Sequence, residues 1–345
     1  MTFSLYVDAK RWRGHTESVR DTVEGLVPVA KGNGYGFGLT LLADECTRLD
    51  VDTLAVGTAP EVETVHDVFR GDVLVLTPWH PVTDAPPPDD DRLVLTVAHP
   101  EAVRALTGSR HRVVVELLTS MNRFGLSDDQ LVALLPFLAD LHVVGFALHL
   151  PLDEGELPRA DEVSVWRQRL AQLGVDVPAL WVSHLDDTDL ARLRRRHRDL
   201  VLRPRVGTRL WLGARPSYQA RGTVLAVHGL SRGERFGYRQ RKAPGDGHLL
   251  VVSGGTSHGV ALTAPRPVSG VVPRAKAAAW GGLEAAGRVL SPFTVAGKKR
   301  WFGEPPHMQV SMIWLPGDVP APHVGDELDV EMRMTTALFD RVVLH

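Results

Sequence analysis

A (β/α)8 TIM-type barrel followed by a C-terminal antiparallel β domain is the fold class this sequence predicts, and three observations predict it. Short β-branched and leucine-rich runs alternate with helix-like stretches through about residue 215. Beyond that point the rhythm changes to short strands separated by turns. At 345 residues with 44% hydrophobic content, the chain exceeds one compact core and asks for two domains. The expected division is residues 1–215 for the barrel and 216–345 for the β domain, with the boundary near Leu212 to Ser217.

Each barrel strand is read from its own run. The first is Val27 to Ala30, short and apolar. The next are Leu54 to Val56, Val73 to Leu76, Leu93 to Thr96 and Val113 to Leu118, followed by Val143 to Leu148, Ala179 to Val182 and Leu200 to Arg203. Seven or eight βα units of this kind imply a parallel barrel, whose chemistry gathers at the C-terminal ends of the strands. Ala85 to Asp91 and Pro151 to Glu156, rich in proline and acid, read as surface loops. In the second half the candidate strands are Gly222 to Val227, His248 to Val252, Val268 to Val272, Met308 to Trp314 and Glu327 to Met332. No internal repeat or low-complexity tract interrupts the chain.

Charge and composition narrow the partners. A net charge of −2 offers no footprint for nucleic acid, and the basic run Arg192 to Arg198 reads as one solvated helix face. No apolar segment reaches the length of a membrane span, and the N-terminus lacks a signal-peptide pattern, so the cytoplasm is the expected location. Cys46 is the only cysteine, which excludes an intrachain disulfide and a thiolate metal cluster. Leu41, Leu42 and Leu49 around it make it a core residue of the helix after the first strand. No metal is expected.

The first strand ends in Lys31, followed by Gly32, Gly34, Gly36 and Gly38. Glycines there leave the backbone open to close approach by a ligand. A lysine at a strand's C-terminal mouth can lose solvation, lower its pKa and act as an amine nucleophile toward an aldehyde cofactor such as pyridoxal phosphate. The competing reading is a solvated lysine in a flexible loop.

The stretch Val27-Pro28-Val29-Ala30-Lys31-Gly32-Asn33-Gly34-Tyr35-Gly36-Phe37-Gly38 resembles the pyridoxal-phosphate lysine motif of the alanine racemase family. The resemblance implies that Lys31 holds the cofactor covalently and is one of two catalytic bases, and that Tyr35 bonds the cofactor phosphate. Arg205-Val206-Gly207-Thr208 is similar to a family segment in which an arginine meets the pyridine nitrogen and backbone amides meet the phosphate. An arginine there leaves that nitrogen unprotonated, which favours proton return over decarboxylation or transamination. The resemblance also implies that His149 packs on the cofactor ring and that Ser183 binds the phosphate. Without it, His149 reads equally as a core histidine bonded to a carbonyl.

Met121-Asn122-Arg123-Phe124-Gly125 resembles the family's Met-Asn-Arg-Leu-Gly, which assigns Arg123 to the cofactor's phenolic oxygen and the substrate carboxylate. Glu116 aligns where many members carry a carbamylated lysine, so a Glu116–Arg123 pair is expected to supply the same charge. Pro305-Pro306-His307-Met308 is similar to the segment whose methionine amide binds the substrate carboxylate, which makes Met308 the counterpart. The tail Val324 to Val330 also resembles the family, and the likeness runs from about residue 5 to the end. It implies a homodimer with shared active sites and a small amino-acid substrate.

One expected group is missing. The family's Gly-Tyr-Ala-Asp-Gly motif, whose tyrosine is the second catalytic base, is matched by Ser253-Gly254-Gly255-Thr256-Ser257-His258-Gly259. Racemisation by two bases needs an acid/base on each face of the carbanion. His258 is the best replacement by chemistry, with Ser257, Tyr238 or water behind it, and a purely structural His258 is equally open. The implied activity is therefore that of a pyridoxal-phosphate-dependent amino-acid racemase or epimerase. The alternatives are a decarboxylase, lyase or one-base epimerase on the same cofactor, a non-catalytic pyridoxal-phosphate-binding homologue, or a barrel binding some other anion.

Overall fold

The computed structural model describes residues 2–262 and 289–345. The strand expected at Val268 to Val272 lies outside the described residues. The chain divides into two compact units, one built from Arg13–Gly34 and Gly38–Gly213, the other from residues 2–12, Tyr35–Phe37 and the described part of Ala214–His345.

The first unit is the barrel. Its strands are β2 (Val27–Pro28), β3 (Thr53–Val56), β4 (Asp72–Val75), β5 (Leu93–Val97), β6 (Arg112–Leu117), β7 (His142–Leu148), β8 (Leu180–Ser183) and β9 (Leu202–Val206). They form one 8-stranded sheet in the order β2-β9-β8-β7-β6-β5-β4-β3, every pair parallel. A parallel bridge from Val29 to Ala55, with the Ala30 N–H donating to the Ala55 carbonyl at 2.8 Å, closes the ring between β2 and β3. The interior holds Val27, Val29, Ala55, Leu74, Val94, Val114, Ala147, Ala179 and Trp181, one or two inward residues from each of seven strands. Inward and outward residues alternate along barrel strands, so this apolar layer fixes which later residues point inward.

Helix α1 (Ala9–Thr22) precedes β2, helices α2 (Leu39–Arg48), α3 (Pro60–His66), α4 (Pro100–Leu106), α5 (Asp128–Leu138), α6 (Arg159–Gln172) and α7 (Asp187–Arg196) follow later strands, and the short α8 (Thr208–Leu212) follows β9. No helix lies between β4 and β5, where the proline run Pro86 to Pro88 removes backbone donors. Cys46 is fully buried on α2, and burial raises its thiol pKa well above the ordinary value, Glu45 adding to the effect. On α7, Arg192 and Arg196 bond Asp161 at 2.9 and 3.1 Å and Arg194 approaches Glu24 at 3.3 Å. The basic run is thus laced by ion pairs and its helix ends at Arg196, short of the expected Arg198.

The β unit comprises β1 (Phe3–Val7), β10 (Tyr218–Leu230), β13 (Gly247–Ser253), β14 (Leu290–Val295), β15 (Lys298–Phe302), β16 (Val310–Pro316), β17 (Glu327–Val330) and β18 (Arg341–Leu344), with a small hairpin of β11 (Arg235–Phe236) and β12 (Arg241–Lys242). The sheet order is β13-β16-β15-β14-β17-β10-β1-β18, and an additional β10–β13 pairing makes a ring of its first members. All pairs are antiparallel except β1 with β18. Phe3, Val224, Leu250, Phe293, Ile313 and Leu315 form its core. Full burial of each such side chain stabilises by about 1.5–3 kcal/mol. Strand β1 enters this unit because its edges pair with β10 and β18.

Candidate active site

The barrel's upper inward layer lies two residues beyond its apolar layer. Stepping by two from Val29, Val114, Ala147, Trp181 and Arg203 gives Lys31, Glu116, His149, Ser183 and Arg205. Period-two geometry alone therefore gathers five residues of the sequence reading at one barrel mouth. Arg205 lies inside β9 and not after a strand ending at Arg203. Its Cα partners are Val27 on one side and Ser183 on the other. The strand starts two residues later than expected because its ladder with β8 begins at Leu202.

Lys31 stands three residues past the end of β2, after the bridged Val29 and then Ala30, and is exposed as a residue. Burial lowers its pKa, Arg123 and Arg205 lower it further by like-charge repulsion, and Glu61 opposes them. Glu61, which sequence reasoning missed, sits on α3 and accepts the Gly32 N–H at 3.0 Å and the Gly57 N–H at 2.7 Å. It ties the lysine loop to the end of β3. A Cβ on Gly57 would stand 3.0 Å from that of Lys31, so a bare glycine lets the lysine pass. Gly32 and Gly34, at φ 61 and 59, supply the left-handed backbone that the turn after Lys31 requires.

Arg205 is buried. One Nη donates to the Leu148 carbonyl at 3.1 Å, while its buried Nε has no partner among the described residues. Its pKa falls through burial, against the pull of Glu116 and with help from Arg123. Glu116, 2% exposed, is pushed up by burial, and Arg205 and then Arg123 pull it down. The expected Glu116–Arg123 ion pair is not formed. Arg123 is exposed and its guanidinium sits 5.3 Å from the Phe124 ring centroid. The cause is local, because the Leu126 N–H returns to the Glu116 carbonyl at 2.8 Å, pinching residues 119–125 into a tight excursion outside the strand. Glu162 on α6 holds that excursion by accepting the Ser120 N–H at 2.6 Å and hydroxyl at 2.7 Å.

His149 follows β7, and its carbonyl accepts the Thr119 hydroxyl at 2.6 Å. Burial, then the positive charges of Arg205 and Arg123, with His184 and Lys31 adding, bring its pKa to about 3, so the imidazole is neutral. The Ser183 hydroxyl lies 3.3 Å from His149 Nδ1 and accepts the Leu150 N–H at 3.1 Å. Gly207 and Thr208 stand where β9 passes into α8.

The remaining sequence candidates belong to the β unit and are described within it. Tyr35 is buried at φ 54, and burial pushes its hydroxyl pKa up to about 12. Met308 is 70% exposed and its carbonyl accepts the Ser257 hydroxyl at 2.6 Å. His258 is buried in a 3-10 turn, with Nδ1 accepting the Gly255 N–H at 3.2 Å, Nε2 3.2 Å from Asp340 and its ring 5.2 Å from that of Phe3. Both ring nitrogens are therefore occupied.

Among the described residues the barrel mouth thus gathers Arg205, the Lys31 amine with its lowered pKa, and Arg123 on the excursion beside it, with buried Glu116 drawn chiefly to Arg205 and neutral His149 nearby. Residues 7–213 match the family model described as alanine racemase, N-terminal domain. The chain belongs to the alanine racemase family. Among solved structures it is similar to the alanine racemase of Clostridium difficile 630, with 16% identity over 96% of this chain and 87% of that one at a TM-score of 0.69. It is similar to the Bartonella henselae alanine racemase with covalently bound pyridoxal phosphate, with 14% identity over 99% and 100% at a TM-score of 0.72. The enzyme of D-cycloserine-producing Streptomyces lavendulae matches with 21% identity over 96% and 87% at 0.64. Among curated proteins nothing matches. At these identities the alanine racemase structures speak for the fold, a parallel barrel followed by a β unit.

Proposed function

We propose that the chain is a pyridoxal-phosphate-dependent racemase or epimerase of a small amino acid. The observation that supports it most directly is Lys31, an amine at the end of β2 that burial and two arginines drive toward its neutral, nucleophilic form. The donor set fits the cofactor, because the unpartnered Nε of buried Arg205 suits a ring nitrogen and the cationic mouth suits a phosphate. Bound there, pyridoxal phosphate withdraws electrons through the substrate nitrogen and makes the α C–H acidic. Lys31 would hold the cofactor through its aldehyde and would hold or return the α proton at Nζ. Arg205 would donate to the ring nitrogen and keep it unprotonated. Neutral His149 would pack on the ring, the turn at Gly207 and Thr208 would serve the phosphate, and Arg123 would serve the substrate carboxylate. A homodimer in the cytoplasm completes the reading.

A second reading is favoured by His258. With both nitrogens bonded it is poorly placed to serve as the second base, which leaves one-sided proton chemistry on the same cofactor, or binding without turnover. One experiment separates these outcomes. The purified protein receives pyridoxal phosphate, its visible absorbance is recorded, and an amino-acid panel in deuterium oxide is scored for α exchange and product chirality. Exchange with loss of optical activity supports the racemase, exchange with retention supports one-base chemistry, and a protein that stays colourless ends the cofactor reading.

A further inference from the structure

We propose that His184, and not Ser183, is the side chain with which the end of β8 holds an anionic phosphoryl group at the barrel mouth. The proposal rests on the cofactor reading only for the identity of the phosphoryl compound. In parallel eight-stranded barrels phosphate sites commonly form after the seventh and eighth strands, here β8 and β9.

The Ser183 hydroxyl is already engaged. It accepts the Leu150 N–H at 3.1 Å and stands against His149 Nδ1 at 3.3 Å, two contacts that join β7 to β8. His184 is held differently. Its φ of 57 is left-handed, a conformation costly for a side chain other than glycine and concentrated at functional sites. This breaks the alternation of β8 and leaves the ring 5.1 Å from that of His149, edge to face. Its Nδ1 lies 2.6 Å from the Leu150 carbonyl, which can only accept. The proton is therefore on Nδ1, and Nε2 is left as a bare acceptor with no partner among the described residues.

The groups facing this ring are His149, Lys31, Arg205 and Arg159, of which Arg159 lies 3.8 Å from Asp189. His184 is exposed as a residue, and its pKa is lowered by the partial burial of its ring, raised by the Leu150 carbonyl and lowered further by Arg205, Lys31 and Arg159. A bound dianion reverses that balance. Nε2 then takes one proton from solvent and donates it to a phosphoryl oxygen as a charge-assisted hydrogen bond.

The test is calorimetric titration of the full-length protein with inorganic phosphate at pH 7.5, in two buffers of different ionisation heat, which reads proton uptake. The phosphate is mainly dianionic there. Wild type is expected to take up a proton on binding, and to bind more weakly as pH rises. His184→Gln is expected to lose the uptake and to bind both inorganic phosphate and pyridoxal phosphate about tenfold more weakly. Its affinity for pyridoxal, which lacks the phosphate, stays unchanged. Ser183→Ala keeps the uptake. His184→Gly suits the left-handed backbone and repeats the loss if the glutamine variant folds poorly. The proposal is overturned if wild type binds inorganic phosphate without proton uptake or not at all, or if both His184 variants behave as wild type. Uptake with phosphate in a protein that never colours with pyridoxal phosphate sinks the cofactor reading and leaves this one standing.

Discussion

Lys31 and His258 are the two titratable side chains that the sequence nominates for proton transfer, and the structure treats them in opposite ways. Lys31 emerges from β2 into a glycine loop, is partly desolvated, and no hydrogen bond or ion pair holds its amine among the described residues. His258 is sealed between Phe3 and the end of β13, with the Gly255 N–H on one nitrogen and Asp340 on the other. Asp340 is in turn held below the usual carboxylate range, desolvation opposing, by the Phe3 N–H and His258. The lesson concerns free valence. A residue type suited to acid/base chemistry becomes available for it only when the fold leaves an atom unsatisfied, and His258 has none left to give.

The largest expected effect breaks the comparison on the lysine side. Lys31→Ala removes the one amine at the mouth among the described residues and should abolish the visible cofactor band and lower α-proton exchange by roughly 10³-fold or more. Its thermal stability should stay near wild type, because an exposed lysine whose amine has no hydrogen bond or ion pair among the described residues contributes little to the fold. Exchange that survives in Lys31→Ala would move the chemistry elsewhere.

His258→Ala comes next and tests the other side. Leaving the Gly255 N–H and the Asp340 carboxylate without their partner should cost about 1–3 kcal/mol, read as a lowered midpoint in denaturant. Exchange at saturating cofactor should be unchanged in the folded variant. A variant of normal stability that exchanges the proton but no longer inverts the substrate would instead make His258 the second base.

How much of this was legible in the chain follows from range. The barrel strands announce themselves because each is a compact apolar run, and the period of two then carries Lys31, Glu116, His149 and Arg205 to one mouth without any tertiary information. Strand β1 was not assigned, since its partners, Gly222 and Val342 among them, are remote in sequence. Strand β15 reads Lys-Lys-Arg-Trp-Phe and buries only Phe302, so no alternation marks it. Glu61 and Glu162 look like ordinary acids in the first turns of helices, and only folded coordinates show that each carboxylate clasps backbone N–H groups of a site loop. The missing Glu116–Arg123 pair has the same origin. Sequence spacing put the charges within reach, and the Leu126-to-Glu116 return turned the loop outward.

Glu162→Gln sharpens that last point with a smaller effect. The amide keeps one acceptor oxygen for the Ser120 N–H and turns the other contact into a neutral NH2-to-hydroxyl bond, so both lose their charge-assisted strength and the Arg123 excursion loosens at a cost of about 1 kcal/mol. If Arg123 serves the substrate carboxylate, KM should rise several-fold with kcat nearly unchanged. A fall in kcat at constant KM would place Arg123 in the transition state alone.

The smallest effect is a pH shift at Lys31 itself. Capture of the aldehyde needs the neutral amine, so its rate rises with pH through the lysine pKa, and the lowered pKa puts that rise below the range of an ordinary lysine. Glu61 is the one group that opposes the lowering. Glu61→Gln removes its negative charge, so the midpoint should move to still lower pH, and below the midpoint the variant should capture pyridoxal phosphate faster than wild type in stopped flow. A shift to higher pH would mean that the carboxylate acts mainly by holding the Gly32 and Gly57 amides in place, and that the loop it organises, more than its charge, keeps the amine desolvated.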